Sequence, residues 1–366
     1  MEIANAIFEE NEDIDDLFVL DFLENRIPRQ IYERSHYFDT LDEVAFRRRF
    51  RLSRESVLYV LDIIQEHLEY PYDVNNSISP INQLLVCLRL FSTGGHLQSV
   101  ADFVGMHVST VCRIVKKVSN AIASKYQQFV VFHRNQDTLR QRQQNFFNIA
   151  SFPRVIGALD CTHIKIQSPG GEEAEIYRNR KGYFSINTQM ICDSKLRILN
   201  VVARWPGATH DATIFNNSRV NHSFENNEFR NCILLGDSGY PIRNYLMTPL
   251  LQPHAPAEHL YNESHIRTRN VIERCFGVLK RRFPILAYGC RLSLDTVLSV
   301  IVAASILHNI ALNMNDEEAP PIPEELDEHV LNHLIEEGQI PHAAEDQENG
   351  GAIFRRNLIN EYFGQL

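Results

Sequence analysis

Residues 154–167 read RVIGALDCTHIKIQ, and the pattern of this stretch decides the architecture of the chain. Two apolar runs, 154–159 and 162–167, predict strands, and a single acid, Asp160, stands between them. Downstream, Gly, Pro, Asn and Asp turns separate further strand-like runs at 185–192, 198–204 and 232–235. Helical spacing covers about 210–219, 241–247, 267–282 and 294–313. Three consecutive strands followed by helices alternating with a strand predict an α/β fold. Upstream, the apolar spacing is helical from Ser79 to about Tyr126, broken at Gly94-Gly95, and residues 41–69 read as helices around RRRFRLSRES.

Charge divides the chain in the same way. Residues 1–25 carry nine acids and no Lys or Arg, and residues 316–366 carry thirteen acids against Arg355 and Arg356. The intervening 26–315 hold 24 acids and 34 bases, so a net charge of −10 conceals a body of about +10. A basic body between acidic ends suits a polyanion partner. The expected organisation is an acidic segment at 1–25, a helical region at 26–150, an α/β domain at 151–315 and an acidic tail at 316–366. In the first segment Ile14, Leu17, Phe18 and Phe22 suit a short docked helix. The tail, rich in Pro and Glu, is expected to be largely disordered.

Several function classes fall away. The first residues show no secretory signal, and the longest apolar run, Val297–Leu312, is short for a bilayer and carries His308 and Asn309, so a buried helix is expected and no membrane partner. Seven scattered cysteines with no C-x-x-C pair suit a reducing compartment and argue against disulfides or a structural zinc site. His254, His259 and His265 lack cysteines at finger spacing and read as ordinary surface or core histidines. The string GDSGYP resembles a serine-protease nucleophile, but Tyr240 replaces the second Gly and no matching His string precedes it.

Within the helical region, residues 97–122 have helix-turn-helix spacing. Ala101 is small where the helices cross, and Gly105 can take the left-handed conformation of a tight turn. Val104, Met106, Val111 and Ile114 face inward, Ser109 or nearby polar groups can cap the second helix, and Thr110, Arg113, Lys116 and Lys117 face outward as donors for bases and phosphates. Two plain helices joined by glycine would share this spacing; the basic body is what favours DNA.

Three acids stand at the ends or faces of predicted elements. Asp160 ends VIGALD, Asp237 ends ILLGD before Ser238-Gly239-Tyr240-Pro241 leads into a predicted helix, and Glu273 lies in the helical RNVIERCFGVLKRRF. Singly, each has a structural explanation as a turn cap or ion-pair partner. Together they offer the hard oxygen ligands that Mg²⁺ takes in phosphodiester chemistry. Arg269 and Lys280 share the Glu273 face, with Arg281 and Arg282 close by, a set of cations suited to phosphates. Asp211, in T-H-D-A, would either cap the following helix or complete a cation cage.

The ordered strings GALDCTHI, YRNRKGYFSINTQMICD, WPGATHDATIF, LLGDSGYP, RNVIERCFGVLKRRFP and ILHNIALN resemble the DDE domain of Harbinger transposases and the host nucleases derived from them, over about 150–315. The resemblance implies an RNase H-like core, Mg²⁺ or Mn²⁺ as cofactor, catalytic acids at Asp160, Asp237 and Glu273, and a fourth metal ligand at Asp211. Thirty-five residues separate Asp237 from Glu273, a spacing typical of many DDE enzymes. Cys161 stands where many relatives carry Gly. The expected partners are double-stranded DNA and a separate Myb-like DNA-binding protein, in nucleus and cytoplasm, with homo-oligomerisation open. The alternative function is a domesticated DNA-binding protein that keeps the fold without turnover.

Overall fold

The computed structural model describes residues 37–70, 77–316 and 350–366. The acidic segment at 1–25 and the tail from 317 to 349 lie outside the described residues.

After a short helical turn at Tyr37–Thr40, the described residues continue with helices α1 (Glu43–Phe50), α2 (Arg54–Leu68), α3 (Pro80–Thr93), α4 (Leu97–Val104), α5 (Val108–Ala123) and α6 (Gln136–Ala150). Their boundaries follow local chemistry. Ser53 caps α2 by accepting the Ser56 N–H at 3.1 Å, and Asn135 caps α6 by accepting the Thr138 N–H at 2.7 Å, each worth about 1 kcal/mol. Gly94 ends α3 at φ 62° and Gly105 ends α4 at φ 63°, both in the left-handed region that favours glycine. Among the polar groups at its start, His107 caps helix α5: its Nδ1 accepts the Ser109 N–H at 3.3 Å.

A five-stranded sheet follows, in the order β3-β2-β1-β4-β5. It is built from β1 (Val155–Lys165), β2 (Ser185–Cys192), β3 (Ile198–Pro206), β4 (Ile233–Leu235) and β5 (Leu246–Met247). The first three strands form an antiparallel meander, and β4 and β5 add in parallel to β1. Helices α7 (Asp211–Asn216) and α8 (Arg219–Glu225) link β3 to β4. Helices α9 (Pro256–Arg282), α10 (Leu294–Asn313) and α11 (Gly350–Glu361) complete the chain. This mixed α/β plan is consistent with an RNase H-like core.

Three expectations need correction. The runs 154–159 and 162–167 are one strand of 11 residues passing straight through Asp160. Residues 241–247 are not a helix: they end in the edge strand β5, paired with β4. The tail is ordered from Gly350, where α11 packs on the body. Arg355 is buried there and donates to the Thr248 carbonyl at 3.2 Å, and Phe363 packs on Phe152 and Tyr261.

One apolar core runs from Phe46 of α1 to Phe363, so the helical region and the sheet share their interior. A smaller cluster, including Leu159, Cys161, Phe215 and Tyr240, fills the opposite side of the sheet. Helix α10 is long and apolar enough to cross a membrane, yet it packs on α5 and β3 inside the body, as expected for a buried helix. Its Asn309 accepts the Ile198 N–H at 2.9 Å and donates to the Ile198 carbonyl at 2.7 Å. The amide thereby holds the first residue of β3 in the place of a neighbouring strand. All seven cysteines are unpaired thiols, with only Cys112 exposed.

Candidate active site

The register of β1 and β4 places the acids. Ala158 pairs with Leu235 across the parallel ladder, and two residues further on each strand path come Asp160 and Asp237. Asp160 lies within β1 and Asp237 two residues past the end of β4, near enough for the charge of Asp237 to be felt at Asp160. Helix α9 packs along β1 and supplies the third acid. Its Arg269 donates to Asp160 Oδ2 at 3.0 Å and also bonds Glu273 Oε1, one turn along the helix. Behind β4, the Gly236 backbone lies against Tyr240, where an added Cβ would stand 3.0 Å from the ring. Asp237 Oδ1 accepts the Gly239 N–H at 3.0 Å, which fixes the turn after the strand.

Electrostatics mark this cluster. Burial pushes the Asp160 carboxyl up to about 7, and the charges of Asp237 and Asp211 add to that effect. Arg269 and the Cys161 N–H oppose it. Burial lowers the Arg269 guanidinium, but Asp160, Glu273 and Asp237 outweigh it and hold the group above its usual range. One cation therefore answers several converging carboxylates.

Asp211 reaches the cluster from the other side of the meander. It is buried, 3% exposed, and its Oδ1 accepts the Asn187 amide at 2.8 Å. The N-cap of α7 is His210, so Asp211 sits one residue inside the helix, where its charge suits the helix dipole without being the cap. Asn187 is a positioning residue that sequence reasoning missed. The available signal was its place in β2, where Asn187, Thr188 and Gln189 are polar yet wholly buried. Both side-chain polar atoms of Gln189 and the Oδ1 of Asn187 lack hydrogen-bond partners, leaving acceptor capacity inside the sheet next to Asp211.

The cations divide differently from expectation. Arg281 is exposed, and Arg269 is committed to the acids. Lys280 and Arg282 are buried and unavailable to DNA, which corrects their reading as phosphate contacts. Arg282 donates to the Arg51 carbonyl at 3.1 Å and to the Asp316 carbonyl at 3.1 Å, tying the end of α9 to α1. Lys280, 1% exposed, donates to Thr162 Oγ1 at 2.7 Å beneath the sheet. Their faces are covered because α9 is packed by β1, α10 and α11. On α5, Arg113 and Lys116 are exposed and Thr110 is half-buried, whereas Lys117 donates to the Leu68 carbonyl at 2.9 Å and lies over Tyr70. Lys117 thus braces α5 against α2. His265 is a core residue bonded to the Met247 carbonyl at 3.0 Å.

Burial, with the charge of Lys165 adding, lowers the Lys280 ammonium to about 7. A base with a depressed folded pKa binds fewer protons than the unfolded chain between about 7 and its ordinary 10.5. Stability therefore rises with pH through that window, and the cost of the buried charge is fully present below it. Lys280→Met is expected to stabilise the protein by about 2 kcal/mol at pH 6, after allowing for the lost Thr162 bond. The gain should vanish by pH 10 in urea unfolding; an equal or opposite effect at both pH values contradicts the buried charge.

Three aspartates and a glutamate are oxygen donors of the kind that a hard divalent cation takes. Among the described residues no three acid, His or Cys side chains stand together closely enough to grip one ion, and Arg269 lies between Asp160 and Glu273.

A family model described as DDE superfamily endonuclease matches residues 159–309, a span containing all four acids. The chain is 31% identical to "Putative nuclease HARBI1" of Bos taurus over 82% of this chain and 89% of that protein. It is also 31% identical to the Homo sapiens protein of the same name, over 75% of this chain and 79% of that protein. "Protein ALP1-like" of Arabidopsis thaliana is 25% identical over 78% of this chain and 75% of its own length. No solved structure matches the chain. On this footing the chain belongs to the DDE endonuclease superfamily, among the proteins derived from Harbinger transposases.

Proposed function

We propose that this protein hydrolyses phosphodiester bonds in double-stranded DNA with divalent cations, Mg²⁺ or Mn²⁺, held by Asp160, Asp237 and Glu273, while Asp211 adds charge from the buried side. The observation that carries this reading is the approach of Asp237, just past the end of β4, to Asp160 on the adjacent parallel strand β1, with Glu273 joined to Asp160 through a shared arginine. When bound, such ions supply an activated water and neutralise charge on the leaving oxygen. The chain's own residues do the rest. The sheet fixes Asp160, the turn after β4 holds Asp237, α9 carries Glu273, and Arg269 pairs with Asp160 and Glu273 together. Burial first, and then the neighbouring acids, raise Asp160, so a cation at the site competes with a proton for this carboxylate.

A second reading, DNA binding without turnover, is favoured by the same arginine, which bonds both Asp160 and Glu273 at once. A cleavage assay on plasmid DNA separates the two. Nicking in Mg²⁺ or Mn²⁺ that EDTA abolishes supports hydrolysis; binding with no nicking in either metal supports the second reading.

Duplex contact is assigned to α4 and α5, with Arg113 and Lys116 on phosphates and Thr110 at the groove. Arg113→Ala with Lys116→Ala is expected to reduce the slope of log affinity against log salt by about 2, roughly 0.9 for each phosphate contact. Lys117→Ala should instead lower thermal stability with little change in slope, since it braces α2. An unchanged slope in a folded double variant would reduce this helix to a packing element. A Myb-like protein partner, action in nucleus and cytoplasm, and self-association accompany this proposal.

A further inference from the structure

The loop between β1 and β2 carries a basic turn, Arg178-Asn179-Arg180-Lys181-Gly182, that the acid site does not account for. Its shape is set by a buried amide. Asn179 is 5% exposed, and its Oδ1 accepts the Lys181 N–H at 3.0 Å and the Tyr183 N–H at 3.4 Å. Its Nδ2 donates to Ser185 Oγ at 3.1 Å, and that hydroxyl also pairs with His163 Nδ1 at 2.9 Å on β1. The backbone closes the turn twice, from Asn179 N–H to the Tyr183 carbonyl and from Gly182 N–H to the Asn179 carbonyl, both at 2.9 Å. Gly182 sits at φ 85°, which a side chain would strain.

The three cations of this turn have separate tasks. Arg178 is spent inside the loop: it pairs with Glu175 at 2.7 Å, donates to the Gly182 carbonyl at 2.7 Å and stacks over Phe184. Arg180 and Lys181 are exposed at the tip. Arg180 Nη2 lies 3.0 Å from His210 Nδ1, and His210 is the N-cap of the helix that begins at Asp211. The turn is therefore tied to β1 through Ser185 and His163, and through His210 to the residue that precedes Asp211. Glu172 and Glu173 are exposed earlier in the loop, and Glu175 is neutralised by Arg178.

We propose that this turn is a phosphate clamp, in which Arg180 and Lys181 grip backbone phosphates of the DNA strand that lies beside the acids. The proposal rests on the reading of the protein as acting on DNA. A preformed turn loses little conformational entropy when it binds, so two cations on it contribute more than two on a mobile loop. Through His210 the turn stands beside Asp211, and a cation pair there would offset the repulsion between the acids and a phosphate.

The test is binding of the full-length protein to fluorescein-labelled duplex DNA in Ca²⁺, followed across a salt series by anisotropy. Arg180→Ala with Lys181→Ala should weaken binding at least tenfold at low salt and reduce the salt slope by about 2. Arg180→Lys with Lys181→Arg should keep the wild-type slope, because phosphate contact follows charge. Asn179→Ala should weaken binding with both charges intact, while thermal unfolding reports whether each variant is folded. A folded double-alanine variant with wild-type affinity and slope overturns the clamp, and leaves the functional reading standing if the wild type binds and cuts. A wild type that binds no duplex overturns both.

Discussion

Asp160→Asn is expected to abolish metal-dependent strand cleavage, a loss of about 10³-fold or more, while making the folded chain more stable above pH 7. The opposite signs follow from one cause. Burial first, then the charges of Asp237 and Asp211, raise the Asp160 carboxyl to about 7 from an ordinary value near 3.8. Between these values the folded state retains a proton that the unfolded chain has released. Stability contributed by the neutral acid is thus present at low pH and lost as pH rises through the window. Above pH 7 the wild type carries the full cost, on the order of a few kcal/mol at roughly 1.4 kcal/mol per pH unit. Asn cannot ionise, so thermal unfolding at pH 8 should show the variant several degrees above the wild type, with the difference closing toward pH 4. Mg²⁺ should raise the wild-type midpoint at pH 8 and leave that of Asp160→Asn unmoved. A variant less stable than wild type at pH 8 would mean that the Arg269 ion pair outweighs the crowding of acids.

Gly207→Ala is expected to give the largest stability loss of any single methyl addition near the site, about 3 kcal/mol. A Cβ at this position would collide with Ser185 Oγ and stand 2.5 Å from the Tyr177 carbonyl and 2.9 Å from the Ser185 carbonyl. Two of these contacts are backbone, which cannot rotate aside. Gly207 ends β3 in the string WPGATHD, and Ala208 donates to the Ile176 carbonyl at 2.9 Å on the same loop. Forcing the loop and strand apart would also pull Thr209 and Asp211 from the Asn187 amide that holds them. The urea midpoint should fall with an unchanged m-value, and DNA cleavage should fall further than stability alone explains. A midpoint within error of wild type would show that this junction is loose.

Much of this arrangement is legible in the residues, and the exceptions have physical reasons. The β1, β2 and β3 runs are rich in apolar and β-branched residues, so their pattern survives without tertiary information. Asp160 splits the first run because a charge in mid-strand reads as a boundary; its Arg269 partner, 109 residues later, is invisible in that local pattern. Strand β5 has two residues, too few for any period, and Pro241 after a turn gave it the look of a helix start. Lys280 and Arg282 look solvated by type, yet α9 is covered on more than one side. Asn187 and Asn179 are informative only when seen buried. At the carboxyl end, the Pro and Glu of the tail mask the apolar spacing of Leu358, Ile359 and Phe363 that docks α11 and the turn after it.

The most direct test of the account is nicking of supercoiled DNA by wild type and Asp237→Asn from matched preparations, in Mg²⁺, Mn²⁺ and excess EDTA, with duplex affinity measured on the same samples. Wild type should nick in either metal and fall silent in EDTA. Asp237→Asn should bind duplex as tightly or more tightly, since a negative charge near the phosphates is gone, and nick at background. Equal nicking by both proteins, or nicking by wild type that persists in EDTA, would contradict the assignment of these acids to metal-dependent hydrolysis.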